Sequence, residues 1–452
     1  MKKSNVDVVG GNLFSSMIVF SVPLILGSLV QTFFHSADII VLGQMADQNA
    51  VAAVGAFSPI VSLIVNSFIS LSGGVSILLS RYFGAKEKEK TRETVDTAIL
   101  SSVLVGLLLA VIGIAFAPGL LRLTDCPDEC FDGALVYLRF YFAGIPVILL
   151  YNFGAAIIRV SGDSQKPLTY LIMSGALNLV LNVFFCVILT QKVAAVALAT
   201  FLSQLLGAVL VVRYLCRADN DCRLMSLRLK MNFPIFAKIM RFGLPCALNT
   251  ALYSVSNLQI QSAINAYGPA AIAGNTACSS IEGIASSVNT SVGQTALVFV
   301  GQNVGADNRT RVKKSILYAT ILNFVSCEAI GLLCTLFGRE LLWLYLPGDA
   351  EAVAFALVRA KYVLAIYGIA GLINVFVSAQ QAFGYSTLPM VNAFVGVLGF
   401  RFVWMCFVYP QITTPDCLYL CYSVSWSLTA CMHLVTLLIV YTRYQKNKLK
   451  KL

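Results

Sequence analysis

The chain is short of charge, of histidine and of acid. Only 12% of its 452 residues are Asp, Glu, Lys or Arg, where a soluble chain carries roughly a quarter. That shortage excludes an ordinary water-soluble fold. Two histidines in the whole chain, with no nucleophile set beside a base, leave little scope for acid–base or nucleophilic catalysis, so the chain reads as a non-enzyme. No G-x-x-x-x-G-K-[ST] loop occurs, which argues against an ATP-driven pump. C-x-x-C and H-E-x-x-H patterns are missing too, so no structural metal and no cofactor are expected.

What the chain does have is apolar length. Hydrophobic residues make up 58% and the mean hydropathy is +0.80. A hydrocarbon core ~30 Å thick needs ~20 apolar residues at ~1.5 Å rise each. Runs of that length read at about 15–43, 52–80, 95–118, 132–158, 166–189 and 193–215. A second set follows at about 236–265, 272–300, 315–337, 352–382, 388–409 and 418–443. Strands of a membrane barrel would alternate in short segments instead. The first run is too long for a cleavable signal peptide and has no small-residue cleavage site, so it reads as both signal and anchor. The thirteen cysteines are scattered, mostly within apolar runs, where Cys acts as a small hydrophobe. Cys126 and Cys130 share a loop, and their spacing leaves open whether they pair.

A net charge of +11 raises the question of nucleic acid, and the distribution answers it. Basic residues gather in alternate loops: Arg81 to Arg92, Arg213 to Arg241, Arg309 to Lys314, and the tail from Arg443. Intervening loops hold little beyond Arg122, Lys192 and Arg339, with acids such as Asp125, Asp349 and Asp416. Positive-inside bias then places both termini and the long central loop in the cytoplasm. The basic loops read as topology signals and anionic-lipid contacts, with no nucleic-acid partner.

The two halves repeat. Pro23 and Pro245 open the first helix of each half, and 245 − 23 = 222. Gly162 to Pro167 matches Gly384 to Pro389 at 384 − 162 = 222. Gly84-Ala85 matches Gly305-Ala306 at 305 − 84 = 221, and Ala52-Ala-Val-Gly55 resembles Ala271-Ile-Ala-Gly274. Four matches in order at a nearly constant offset indicate duplication. The expected fold is therefore all-α and integral to the membrane, with twelve transmembrane helices in two six-helix lobes, 1–225 and 226–452. Duplicated halves that rock about a central site are a recurring transporter design.

Polar stripes interrupt the apolar helices. Ser28, Gln31, His35 and Asp38 share one face of helix 1; Ser58, Ser62, Asn66 and Ser70 line helix 2. Asn249, Tyr253, Asn257 and Gln261 do so on helix 7, Ser279, Glu282, Ser286 and Asn289 on helix 8, and Asn374, Ser378 and Gln381 on helix 10. Single polar residues are commonly interhelical glue; five aligned stripes point to a wet cavity. Its candidate lining is Gln31, His35, Asn66, Tyr253, Asn257, Glu282, Asn289, Gln381 and Arg401. Ionisable groups at membrane depth are Asp38, Glu282, Glu328 and Arg401, each costing at least ~2.5–3.5 kcal/mol on insertion scales. Asp38 reads as functional, and His35 as a structural histidine beside it. Glu282 is expected to be neutralised by Arg401, and Glu328 has no evident partner. Arg139, Arg159, Arg359 and Lys361 lie near helix ends, where snorkelling is expected.

Several segments together carry a family resemblance: Ala37-Asp38-Ile-Ile-Val-Leu-Gly43, Ala52–Gly55, Arg81-Tyr-Phe-Gly-Ala85, Arg159–Pro167, Ala194–Thr200 and Gly301-Gln-Asn-Val-Gly-Ala306. The chain resembles the multidrug and toxic compound extrusion (MATE) family over essentially its full length. That resemblance implies two lobes in a V and export of organic compounds, cationic or amphipathic, by antiport with H⁺ or Na⁺. It implies a cation-coupling site at Asp38, Asn178, Asn182 and Thr200, and bending of helix 1 at Pro23. Asn182 stands where the family often has Asp, so only Asp38 is ionisable there. Acids that some relatives carry on helices 7 and 10 are missing; Tyr253 takes the first position and only Asn374 lies near the second. A lipid-linked precursor flippase is the rival within transporters, and a non-transporting receptor the rival outside them. Short loops and no targeting extension suggest a prokaryotic plasma membrane, and the protein is expected to act as a monomer.

Overall fold

In the computed structural model every regular element among the described residues is helical. The structure describes residues 6–45, 63–123, 128–189, 191–224 and 230–449; side chains of 35–45, 123, 128–130, 132, 193 and 447–449 lie outside that description. The loop question of Cys126 and Cys130 falls outside it as well.

Twelve long segments follow one another. The first six are α1 (Leu13–Met45), α2 (Leu63–Gly84), α3 (Lys88–Leu123), α4 (Asp128–Val160), α5 (Gln165–Ile188) and α6 (Lys192–Arg217). Next come α7 (Phe233–Asn265), α8 (Pro269–Gly305), α9 (Arg309–Leu336), α10 (Ala350–Ala382), α11 (Thr387–Gln411) and α12 (Pro415–Leu449). Each expected apolar run overlaps one of them, residues 52–62 of the second run lying outside the described residues. Helices overshoot the runs where charged ends continue the coil: α3 starts at Lys88, and Lys90 and Arg92 extend it beyond the apolar stretch. Among the described residues, ten segments are long and apolar enough to cross a membrane. The others, α7 and α8, have 33 and 37 residues. Their length suffices, but runs such as Tyr253-Ser-Val-Ser-Asn257 and Ser279-Ser-Ile-Glu282 dilute their apolarity.

Burial is inverted relative to a soluble protein. Phe33, Val111, Phe116, Val180, Leu336 and Phe407 are exposed, whereas Asn182, Asn303, Asn323, Gln380 and His433 are fully buried. Such a surface suits hydrocarbon, where helices satisfy their own backbone and polar side chains turn inward.

Duplication shows in the backbone. Gly162 and Gly384, 222 residues apart, both adopt left-handed φ, +92° and +87°. Each closes its helix the same way: Gly162 N donates to Arg159 O and Asp163 N to Ile158 O, while Gly384 N donates to Gln381 O and Tyr385 N to Gln380 O. This Schellman-type cap favours glycine, which has no Cβ to clash. Lys86 and Asp307, 221 apart, are the matched pair with left-handed φ outside glycine, 57° and 51°.

Two compact units emerge. One comprises Met1–Asp7 and Val22–Ala247, the other Val8–Ser21 and Leu248–Leu452. Of the three exchanges, those at Ser21/Val22 and Ala247/Leu248 occur inside helices, within two residues of the matched prolines Pro23 in α1 and Pro245 in α7. Proline removes one helical hydrogen bond and weakens the coil there. Polar anchors assign the flanking pieces. Arg311 donates to the carbonyls of Val8 (3.1 Å) and Gly11 (3.0 Å), holding the start of α1 in the second unit. Asn232 donates to Thr97 Oγ1 (3.3 Å) and Glu93 (3.1 Å), holding the start of α7 in the first.

Two helices of the second unit are irregular. A 3₁₀ turn at Leu364–Ile366 breaks α10, and π-helical turns at Phe394–Gly399 and Trp404–Val408 flank Arg401 in α11.

Candidate functional site

In the first unit, α5 and α6 bring together three of the four residues expected to couple the cation. Asn178 and Asn182 are one turn apart on α5, so they share a face. Asn182 Nδ2 donates to Asn178 Oδ1 at 3.2 Å, and Asn178 Nδ2 donates to Thr200 Oγ1 at 3.3 Å. Thr200 Oγ1 in turn donates to the Val196 carbonyl at 2.9 Å. Asn178 and Asn182 are buried at 6% and 0% exposure. The three form a directed chain of neutral dipoles that contributes oxygen atoms and no charge. Thr200 also lines a small cleft of about 20 Å³ with Tyr137, Tyr141, Phe201 and Gln204. The fourth residue, Asp38, lies in α1 with its side chain outside the described residues, as does that of His35. Pro23 is buried in α1, and Gln31 and Asn66 are exposed.

The second unit holds a larger polar core. Glu282 on α8 accepts a hydrogen bond from Arg359 Nη2 on α10 at 2.5 Å. Arg359 also donates to Asn275 Oδ1, which accepts from Tyr419 OH at 2.9 Å. Asn275 Nδ2 donates to Gln261 Oε1 at 2.9 Å. Arg401, 1% exposed, donates from Nε to Ser425 (3.1 Å) and from Nη1 to Asn257 Oδ1 (2.9 Å) and Ser256 (3.4 Å). Its guanidinium stacks on Tyr422 at 4.1 Å.

Three expectations need correction. Glu282 is neutralised by Arg359, not by Arg401, whose described partners are all neutral. Arg359 does not snorkel: it is 7% exposed, and Ala352, Ala356, Ala360 and Val363 on its face of α10 are buried with it. Glu328 does have a partner, since its Oε2 accepts from the Gly368 amide at 2.8 Å. That amide follows the 3₁₀ break, and a Cβ at Gly368 would lie 2.7 Å from the carboxylate. Lys361 fits its expectation, with a side chain 66% exposed and Asp416 at 3.7 Å.

Several other stripe residues serve packing. Asn289 accepts from Asn323 Nδ2 at 3.1 Å, and the same nitrogen reaches the Gly371 carbonyl at 3.1 Å, tying α8, α9 and α10 together. Tyr253 is half-buried, and Gln381 is 9% exposed. Sequence reasoning passed over Asn275, Asn323 and Tyr419, and gave Arg359 the wrong role. It also passed over a buried group in which Gln380 donates to the His433 carbonyl (2.8 Å) and Asn392 contacts His433 Nδ1 (3.1 Å). The small-residue stripe of α10 was the available signal for Arg359, because small residues mark a close helix–helix face.

Known proteins match this arrangement. The MatE family model matches twice, at residues 23–188 and 245–406. The chain is 27% identical to the probable multidrug resistance protein YoeA of Bacillus subtilis over 96% of this chain and 94% of that protein. It is 22% identical to the multidrug export protein MepA of Staphylococcus saprophyticus over 95% and 94%. Crystal structures of MATE in the straight and bent conformations superpose with TM-scores of 0.89 and 0.86 at 20% identity, covering at least 99% of each chain. Two matches of one family model, on halves whose helix caps recur at a fixed offset, leave one assignment: the chain belongs to the MATE family of multidrug efflux transporters.

Proposed function

We propose that this multi-pass transporter exports organic compounds by antiport with H⁺ or Na⁺, alternating access between its lobes, 1–225 and 226–452. The observation that supports the reading is the directed chain Asn182–Asn178–Thr200, three neutral hydrogen-bonded groups at positions expected to share a site with one carboxyl, Asp38. Binding of an ion at Asp38 cancels its charge and rearranges those hydrogen bonds, and α1 repacks near Pro23. An ion drives the cycle only by favouring one state over the other. One charge falling through 100 mV supplies ~2.3 kcal/mol, enough to sustain a useful substrate gradient. Three neutral side chains and a single carboxyl favour H⁺ over Na⁺, since a hard cation prefers several oxygens with more negative charge. The protein acts as a monomer in a prokaryotic plasma membrane with both termini cytoplasmic.

Proteoliposomes loaded with a fluorescent amphipathic cation test this. Efflux should follow an imposed proton gradient. Flux indifferent to both proton and sodium gradients would remove the antiport reading.

A further inference from the structure

Two guanidinium groups are buried in the second unit, and they are treated differently. Arg359 has a carboxylate, Glu282, at 2.5 Å. Arg401 is more deeply buried, at 1% exposure, and has none among the described residues. Its shell is the Asn257 amide, two serine hydroxyls and the Tyr422 ring, and its Nη2 has no acceptor among the described residues. Three other acids of the unit are engaged elsewhere: Glu328 by the Gly368 amide, Asp416 by Lys361, and Asp349 by the Ala352 amide. Neutral dipoles orient a buried charge but do not cancel it.

Access and shape add to the case. Asn257, which bonds Nη1, is itself exposed, so the guanidinium lies one side chain beneath a surface. Tyr422 continues into Trp426 at 5.9 Å and Tyr419 at 6.5 Å, an aromatic wall beside the charge. The π turns on either side of Arg401 are irregularities that proteins keep mostly at functional positions.

We propose that Arg401 is an anion-recognition site that takes the carboxylate of an amphipathic organic substrate, with the substrate's ring system against the Tyr422 wall. The carboxylate occupies Nη2 and displaces the 3.4 Å bond from Nη1 to Ser256, giving the two-point contact that guanidinium favours. Zwitterions that pair a cationic ring system with a carboxylate are then preferred over the corresponding esters. This rests on the reading of the chain as an exporter of organic compounds.

Rhodamine 6G and its free acid, identical except for the ester, provide the probe. Their binding to purified protein in a neutral detergent is read by fluorescence anisotropy. Wild type should bind the acid at least about tenfold more tightly, the lower end for a charge-assisted hydrogen bond. Asn257→Asp, which places a resident carboxylate at the position 2.9 Å from Nη1, should abolish that preference without emptying the core. Equal affinities in wild type, or a preference that survives Asn257→Asp, would overturn the proposal. If neither dye binds, the multidrug reading fails, and benzoate against benzamide in thermal unfolding decides. Benzoate stabilising wild type but not Asn257→Asp supports the anion site, and equal or absent shifts refute it.

Discussion

Replacing Glu282 by Gln removes the counter-charge of Arg359 while keeping the shape. The pair is well shielded, with side-chain exposures of 8% for Arg359 and 19% for Glu282. Deleting one partner of such a pair costs about 3–5 kcal/mol, because the survivor is left charged and buried, whereas removing both is often close to neutral. Glu282→Gln and Arg359→Met should therefore each destabilise by about 3 kcal/mol or more. The double variant should be less damaged than either single one. At roughly 2–4 °C per kcal/mol for a unit of this size, each single change lowers the midpoint by roughly 6 °C or more. Thermal unfolding in detergent by tryptophan fluorescence reads this directly, since Trp343, Trp404 and Trp426, the three tryptophans of the chain, all lie in the second unit. Trp426 packs 5.9 Å from Tyr422 and 5.6 Å from Tyr367. A double variant destabilised by the sum of the two single effects would refute the pairing argument.

Three further outcomes are expected. Gly162→Ala and Gly384→Ala should each cost about 1 kcal/mol from the left-handed backbone; Gly162→Ala should cost more, because its Cβ would also lie 2.7 Å from the Val6 carbonyl, and denaturant or thermal midpoints would rank the two. Cys222, 1% exposed in the turn after α6, has its thiol pushed up by burial, so less thiolate forms near neutral pH; mass spectrometry should find it unlabelled by maleimide in folded protein and labelled after denaturation. Asn182→Asp adds a second carboxyl beside Asn178, so efflux should become more sensitive to Na⁺ when gradients are compared in proteoliposomes.

Much of the fold was legible because hydrocarbon imposes a simple rule. Length and apolarity located the helices, and a constant offset revealed the duplication before Gly162 and Gly384 displayed the same φ. Three residues that the family resemblance implied for a cation site, Asn178, Asn182 and Thr200, are brought by the structure into one hydrogen-bonded chain. Partners across the second unit were not legible. Glu282 and Arg359 are 77 residues apart, and apolar periodicity gives the face of a helix without saying which neighbour it meets. Glu328 was opaque for another reason: its partner is a backbone amide after a 3₁₀ break that no residue pattern at 364–366 announced. Likewise, the π turns around Arg401 occur in an ordinary apolar run.

The central claim is that one carboxyl, Asp38, couples export to an ion. Its most direct test compares wild type with Asp38→Asn in proteoliposomes under an imposed proton gradient, with substrate binding measured in parallel. The account predicts that Asp38→Asn still binds substrate but loses gradient-driven efflux. Undiminished gradient-driven efflux by Asp38→Asn would contradict it and move the coupling site elsewhere.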